Sequence, residues 1–144
     1  MEKRKLAKAG FTMIELLVVL VILMVIGTIA VQNFSGEEDK AKVKATKASF
    51  TSLENALERF KLDVGRYPTS EEGLAALYDA PEGLDDWAGK YITKRRSLKD
   101  AWDNDYVYTI PGPDGEPYEI ISLGADKAEG GEKYNADLSS LDEK

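Results

Sequence analysis

Two sets of carboxylates in this chain have types and spacings that could do chemistry. The first is a single residue, Glu15, set inside the apolar run FTMIELLVVLVILMVIGTIAV at residues 11–31. A carboxylate in apolar surroundings is costly and is usually kept for a cation partner. The bland alternative is that Glu15 sits at the water boundary, where the positive end of a helix favours negative charge. The second set is Asp126 and Asp137, which bracket a stretch holding Gly130, Gly131, Glu132 and Asn135. Carboxylate and carbonyl oxygens gathered by a bent loop suit calcium, which takes about six to eight of them. The EF-hand template does not fit, because Ala128 and Gly130 stand at its third and fifth places. Composition alone favours a solvated acidic tail.

The rest of the inventory narrows the chemistry. The 144 residues include no His and no Cys. Disulfides, thiol nucleophiles and the usual neutral-pH base are therefore excluded. A membrane-anchored enzyme would need a nucleophile–base pair or a carboxylate cleft. The carboxylates here fall in loop-like segments, so the chain is read as no enzyme. The formal net charge of −7 turns away nucleic acid, whose phosphates need a basic surface. That charge is uneven. The first ten residues carry Lys3, Arg4, Lys5 and Lys8 against Glu2, four cations to one carboxylate, which leaves them at +3 and the remainder at −10. A basic start before an apolar run keeps the N-terminus in the cytoplasm and sends the acidic body across the membrane.

The elements that must position these groups follow from the apolar pattern. Residues 11–31 match the roughly 20 residues a helix needs to cross a bilayer, so membrane lipid is the expected surrounding. A cleaved secretory signal is the competing reading, with Gly27, Thr28 and Ala30 supplying small residues near its end. Beyond the run, Ala45, Ala48, Phe50, Leu53, Ala56, Leu57 and Phe60 recur mostly at the three- and four-residue spacing of one helix face. This amphipathic helix, over about 38–63, continues the first one with a loosened section expected at 34–36, and it stops at Gly65 and Pro68. Thr69 and Glu72 fit a capping box opening a second short helix with Leu74, Leu77 and Tyr78 on its apolar face. Pro81 and Gly83 end it. Residues 106–110 and 118–123 read as strands, joined through Pro111, Gly112, Pro113, Asp114 and Gly115 as a hairpin. From Gly124 onward the chain offers little to build a core.

Three groups of residues carry a resemblance to a known family. The basic leader with Gly10, Phe11, Thr12 and then Ile14, Glu15, Leu16 and Leu17 resembles the class III signal of type IV pilins and their relatives. The segments LENAL at 53–57, FKLD at 60–63, GRYPT at 65–69 and EGL at 72–74 resemble the major pseudopilins of type II secretion systems. So do Asp100, Trp102 and Asn104 with Tyr106 and Tyr108, and SLGAD at 122–126 with Gly130, Gly131, Ala136 and Asp137.

The resemblance implies that a prepilin peptidase cuts between Gly10 and Phe11, that Phe11 is then N-methylated, and that Glu15 of one subunit meets the Phe11 amine of its neighbour. It implies a calcium ion in the loop 123–137. The Leu123 carbonyl, Asp126 and Asp137 would be ligands, with the Ala128 carbonyl, Glu132 and Asn135 as further candidates. The implied fold is α+β: a long N-terminal helix, transmembrane over 11–31 and amphipathic over 32–64, packed on a head at 65–144 with a short antiparallel sheet. Residues 1–10 are the cleaved leader. The implied function is structural: a subunit of the bacterial inner membrane that polymerises with itself and with minor pseudopilins on an assembly platform. The resulting periplasmic filament helps move folded exoproteins across the outer membrane. The alternative is the major subunit of a type IV or DNA-uptake pilus, against which stand the missing cysteine pair and the loop pattern. Two departures are plain. Gln32 stands where the family usually has Pro, and Ala101 and Asp103 replace the Pro and Gly of its tryptophan motif.

Overall fold

The computed structural model describes residues 10–142, without the side chains of residues 28–35. The basic leader, with Lys3, Arg4, Lys5 and Lys8, lies outside the described residues. The chain divides into two compact units, Met1–Glu38 and Asp39–Lys144.

One α-helix, α1, runs over Met13–Val64. Its backbone is helical through 34–36, so the expected loosening does not occur. Gln32 keeps the N–H that a proline would lack, and the hydrogen-bond ladder has no reason to open there. In the first unit every large apolar side chain described between Phe11 and Ile26 is exposed. Among the described residues no helix is long and apolar enough to cross a membrane. Of the apolar run, the described side chains end at Gly27.

The second unit is built on the C-terminal part of α1. Phe50, Leu53, Ala56, Leu57 and Phe60 are buried, as their spacing predicts. Ala45 and Ala48 are exposed instead, and the buried stripe extends through Thr46. The helix stops where Gly65, at φ 82°, takes the left-handed conformation that costs glycine little. Its N–H closes the last turn on Lys61 O at 2.8 Å.

The capping box forms as expected. Thr69 N donates to Glu72 Oε2 at 2.8 Å, and Glu72 N to Thr69 Oγ1 at 3.2 Å. What it opens is a turn and a single 3-10 turn, Leu74–Leu77, rather than an α-helix. Gly73 at φ 57° breaks the ladder between them. Leu74, Ala76 and Leu77 still reach the core, beside Tyr91, Ile92, Tyr106, Tyr118 and Ile120.

The hairpin is present. Strand β1 (Val107–Thr109) pairs antiparallel with β2 (Glu119–Ser122), with Tyr108 opposite Ile120. A third strand, β3 (Leu138–Ser139), pairs with the other edge of β2. The tail offers no strand signal in the sequence. A two-residue strand has no periodicity to detect, and it forms because β2 offers an open edge. Ser140 continues the join: its N–H donates to Ile120 O at 2.9 Å, and its hydroxyl accepts from Ile120 N at 3.1 Å.

Outside the core, Arg66 grips Glu72 with both guanidinium nitrogens, at 2.6 and 2.7 Å. That pairing, with the Thr69 N–H, holds the carboxyl down to about 2 from its usual 4.5. A depressed carboxylate contributes stability above its unfolded value, and the contribution fades as pH falls from 4.5 toward about 2. Both groups are partly open to water, so the pair is worth about 1 kcal/mol at neutral pH. Arg66→Met is therefore expected to lower the neutral-pH melting temperature by a few degrees. Thermal scans of the two proteins should converge as the pH approaches 2. A constant gap over the whole range would refute the ion-pair account.

Candidate functional site

The N-terminal site is built from Gly10, Phe11, Thr12 and Glu15. Thr12 precedes α1, and Glu15 lies in its first turn. Glu15 N donates to Thr12 Oγ1 at 3.2 Å, and Thr12 N donates back to Glu15 Oε2 at 3.2 Å. This is a second capping box, and it satisfies two donors that a helix start leaves open. The sequence reading places Thr12 in the leader motif but not as a cap, although its spacing to Glu15 is the box signature. Phe11, next to it, is 83% exposed, and Gly10 is exposed as well. Gly10, Phe11 and the Glu15 carboxylate thus lie together at an accessible helix end.

The loop at 123–137 folds back on itself through backbone bonds. Ala125 N donates to Tyr134 O at 3.0 Å, and Asp137 N to Gly130 O at 3.2 Å. Two glycines make the folding possible. A Cβ on Gly124 would lie 2.9 Å from both Tyr134 O and Ala136 O, and one on Gly131 would lie 2.3 Å from Asn135 O. Lys127 and Lys133 also take left-handed backbone, at φ 58° and 59°.

The structure places the expected ligands as follows. Asp126 is exposed, and its Oδ1 accepts the Ala128 N–H at 3.2 Å. Asp137 is half-buried, and its Oδ2 accepts the Gly130 N–H at 2.9 Å. Its other oxygen, Oδ1, is buried without a hydrogen-bond partner among the described residues. Leu123 ends the β2 side of the loop and is half-buried. Glu132 and Asn135 are exposed, and Asn135 N closes a turn on Glu132 O at 3.1 Å. Among the described residues no three His, Cys, Asp or Glu side chains cluster as metal ligands. A cation here would need backbone carbonyls for most of its shell, which is chemistry that calcium accepts.

Behind the loop lies a polar hub that the sequence reading did not find. Asp100 is 7% exposed. Its Oδ1 accepts the N–H groups of Trp102 and Asn104, each at 2.9 Å, and its Oδ2 accepts the Ser122 hydroxyl at 2.6 Å. The turn is tied to α1 through Ala101 N, which donates to Thr46 Oγ1 at 3.3 Å. That bond explains why a threonine occupies the fully buried stripe position: a buried hydroxyl needs a partner, and the turn supplies one. The signal was present in the Asp100 to Asn104 motif, but its partners lie 55 and 22 residues away.

The family described as "Type II secretion system (T2SS), protein G" matches residues 33–141. The chain belongs to this family. The prokaryotic N-terminal methylation motif matches residues 5–31, so it covers Gly10, Phe11, Thr12 and Glu15. The type II secretion system core protein G of Vibrio cholerae is 40% identical over 141 residues, covering 96% of this chain and 94% of that one. The Pseudomonas aeruginosa core protein G is 37% identical over 145 residues, covering 99% of both. The crystal structure of the major pseudopilin from the type 2 secretion system of enterohaemorrhagic Escherichia coli superposes with a TM-score of 0.57 at 31% identity. It covers 74% of this chain and 92% of that one.

As a member of the protein G family, the chain keeps its tryptophan turn without the usual glycine. Asp103 adopts φ 67° there, a conformation that aspartate tolerates better than most residues. Its N–H returns to Asp100 O at 3.1 Å, and Asp100 N donates to Asn104 O at 2.9 Å. The turn is therefore closed despite the Ala101 and Asp103 departures.

Proposed function

We propose that this chain is the major pseudopilin of a type II secretion system, a structural subunit and not a catalyst. The observation that carries the reading is the protein G match over residues 33–141. The N-terminal methylation motif supports the maturation route: cleavage between Gly10 and Phe11, then methylation of the new amine. In the sequence the apolar run extends to Val31, about the 20 residues a bilayer asks for. An all-round apolar, exposed helix is out of place in water and fits lipid or the inside of a filament. The membrane holds the subunit with its N-terminus in the cytoplasm and its head in the periplasm until it is drawn into the homopolymer. Minor pseudopilins and an inner-membrane platform are the expected partners.

The loop residues also fit calcium. The support is the orphaned Asp137 Oδ1, a buried carboxylate oxygen with no donor among the described residues. The Leu123 carbonyl, Asp126 and Asp137 would hold the ion, with the Ala128 carbonyl, Glu132 and Asn135 as further oxygens. A bound ion supplies positive charge that offsets carboxylate repulsion and pins the loop to the head.

The function is tested by deletion. Loss of the chain should leave exoproteins in the periplasm, and plasmid-borne copies should restore their release. Unchanged secretion, together with loss of long surface fibres, would identify a pilus subunit instead.

A further inference from the structure

The buried hub behind the loop has a feature that packing alone does not require: it fixes the directions of two successive peptide units at the loop's entrance. The peptide between Leu123 and Gly124 has its N–H on Ser122 Oγ at 3.3 Å. That hydroxyl is itself oriented, because it donates to Asp100 Oδ2 at 2.6 Å. In a trans peptide the N–H and C=O point in opposite directions, so anchoring the Gly124 N–H inward turns the Leu123 carbonyl away from the hub. The next peptide is held at both ends. Gly124 O accepts Asn104 Nδ2 at 3.0 Å, and Ala125 N donates to Tyr134 O at 3.0 Å. Gly124 O is thereby engaged with the hub, while the carbonyl before it stays available to the loop. Ser122 is fully buried and Asp100 nearly so, which keeps water from competing for these bonds.

We propose that Asp100, Ser122 and Asn104 are positioning residues for the loop's cation. They touch no ion; they aim the Leu123 carbonyl and lock the backbone that follows it. The inference rests on the calcium reading above. Outer-shell partners of this kind typically change metal affinity by about 10- to 100-fold when removed. The same hub reaches α1 through Thr46, and Trp102 Nε1 lies 3.5 Å from Asp39 Oδ1 on that helix. That second arm does not bear on the carbonyl, so it serves as an internal control.

The test is isothermal titration of the full chain in detergent micelles with calcium chloride, after chelation, at room temperature. Ser122→Ala and Asn104→Ala are each expected to weaken binding by about 10- to 100-fold. Ser122→Thr should restore most of the affinity, and Trp102→Phe should match the wild type. A merely structural role would lower the melting temperature in chelator and leave the room-temperature affinity unchanged; that result would overturn the proposal. If Ser122→Ala does not fold, Asn104→Ala, on a half-buried side chain, decides alone by the same criterion. A wild-type chain that takes up no calcium would overturn the calcium reading and this inference together. Wild-type binding with unaltered variants would overturn this inference only.

Discussion

Calcium at millimolar concentration is expected to raise the melting temperature of the full chain in micelles by about 10–20 °C, and Asp137→Ala to abolish the rise. An ion that binds only the folded head adds RT ln(1 + [L]/Kd), about 2.7 kcal/mol at hundredfold excess. For a domain of roughly 100 residues each kcal/mol moves the midpoint by about 4–8 °C. Asp137 is the choice because one of its oxygens already has the Gly130 N–H and the other has no partner among the described residues. A buried acceptor left unsatisfied costs about 1–3 kcal/mol, and a cation removes that cost. Asp126→Ala should also lose the shift. Its exposed carboxylate has less to gain from burial and contributes mainly charge. Magnesium should stabilise less, since it demands a stricter octahedron and gives up water reluctantly. Scanning calorimetry in chelator and then in calcium is the measurement. Superimposable curves would show that the loop is no ion site.

Glu15→Gln is expected to cut filament yield by at least about tenfold while leaving the head's melting temperature unchanged. The size follows from losing one charged, poorly solvated pairing worth about 1.5–3 kcal/mol per subunit contact. Two roles compete at this residue. Glu15 caps its own helix through Thr12, and in the assembled state it is proposed to meet a neighbour's Phe11 amine. Glutamine reproduces the capping box but carries no charge, so it separates the two. The amine exists only after cleavage, so a bulky residue in place of Gly10 should give the same defect. Intact mass would show residues 1–10 retained. Filament counts by electron microscopy, with secretion measured in parallel, test the pair. Normal filaments from Glu15→Gln would mean that capping is the whole role of Glu15.

Local features of this protein were legible from the sequence because their physics is local. A run of apolar residues, a cluster of four leader cations, the stripe through Phe50, Leu53, Leu57 and Phe60, and the Pro–Gly turn between two β-rich segments each declare themselves over a few neighbouring residues. The capping box at Thr69 and Glu72 did so as well. What followed the box did not: whether one turn of 3-10 helix or an α-helix forms depends on how Leu74 and Leu77 meet the core.

The tertiary structure decided the rest, wherever a group's energy depends on a partner far along the chain. Thr46 reads as a break in an apolar stripe, and it is buried because Ala101 N arrives to bond it. Leu138 and Ser139 have no strand signal, and they pair because β2 presents an edge. Asp100 reads as one acid among many in a motif. Only the fold makes it a buried hub, by bringing Ser122 to one oxygen and two turn amides to the other. The two aspartates of the loop were equal candidates on spacing. Folding made them unequal, leaving Asp126 exposed and burying one oxygen of Asp137 with no donor among the described residues. Burial sets the cost of an unpaired charge, and burial is a property of the assembled chain.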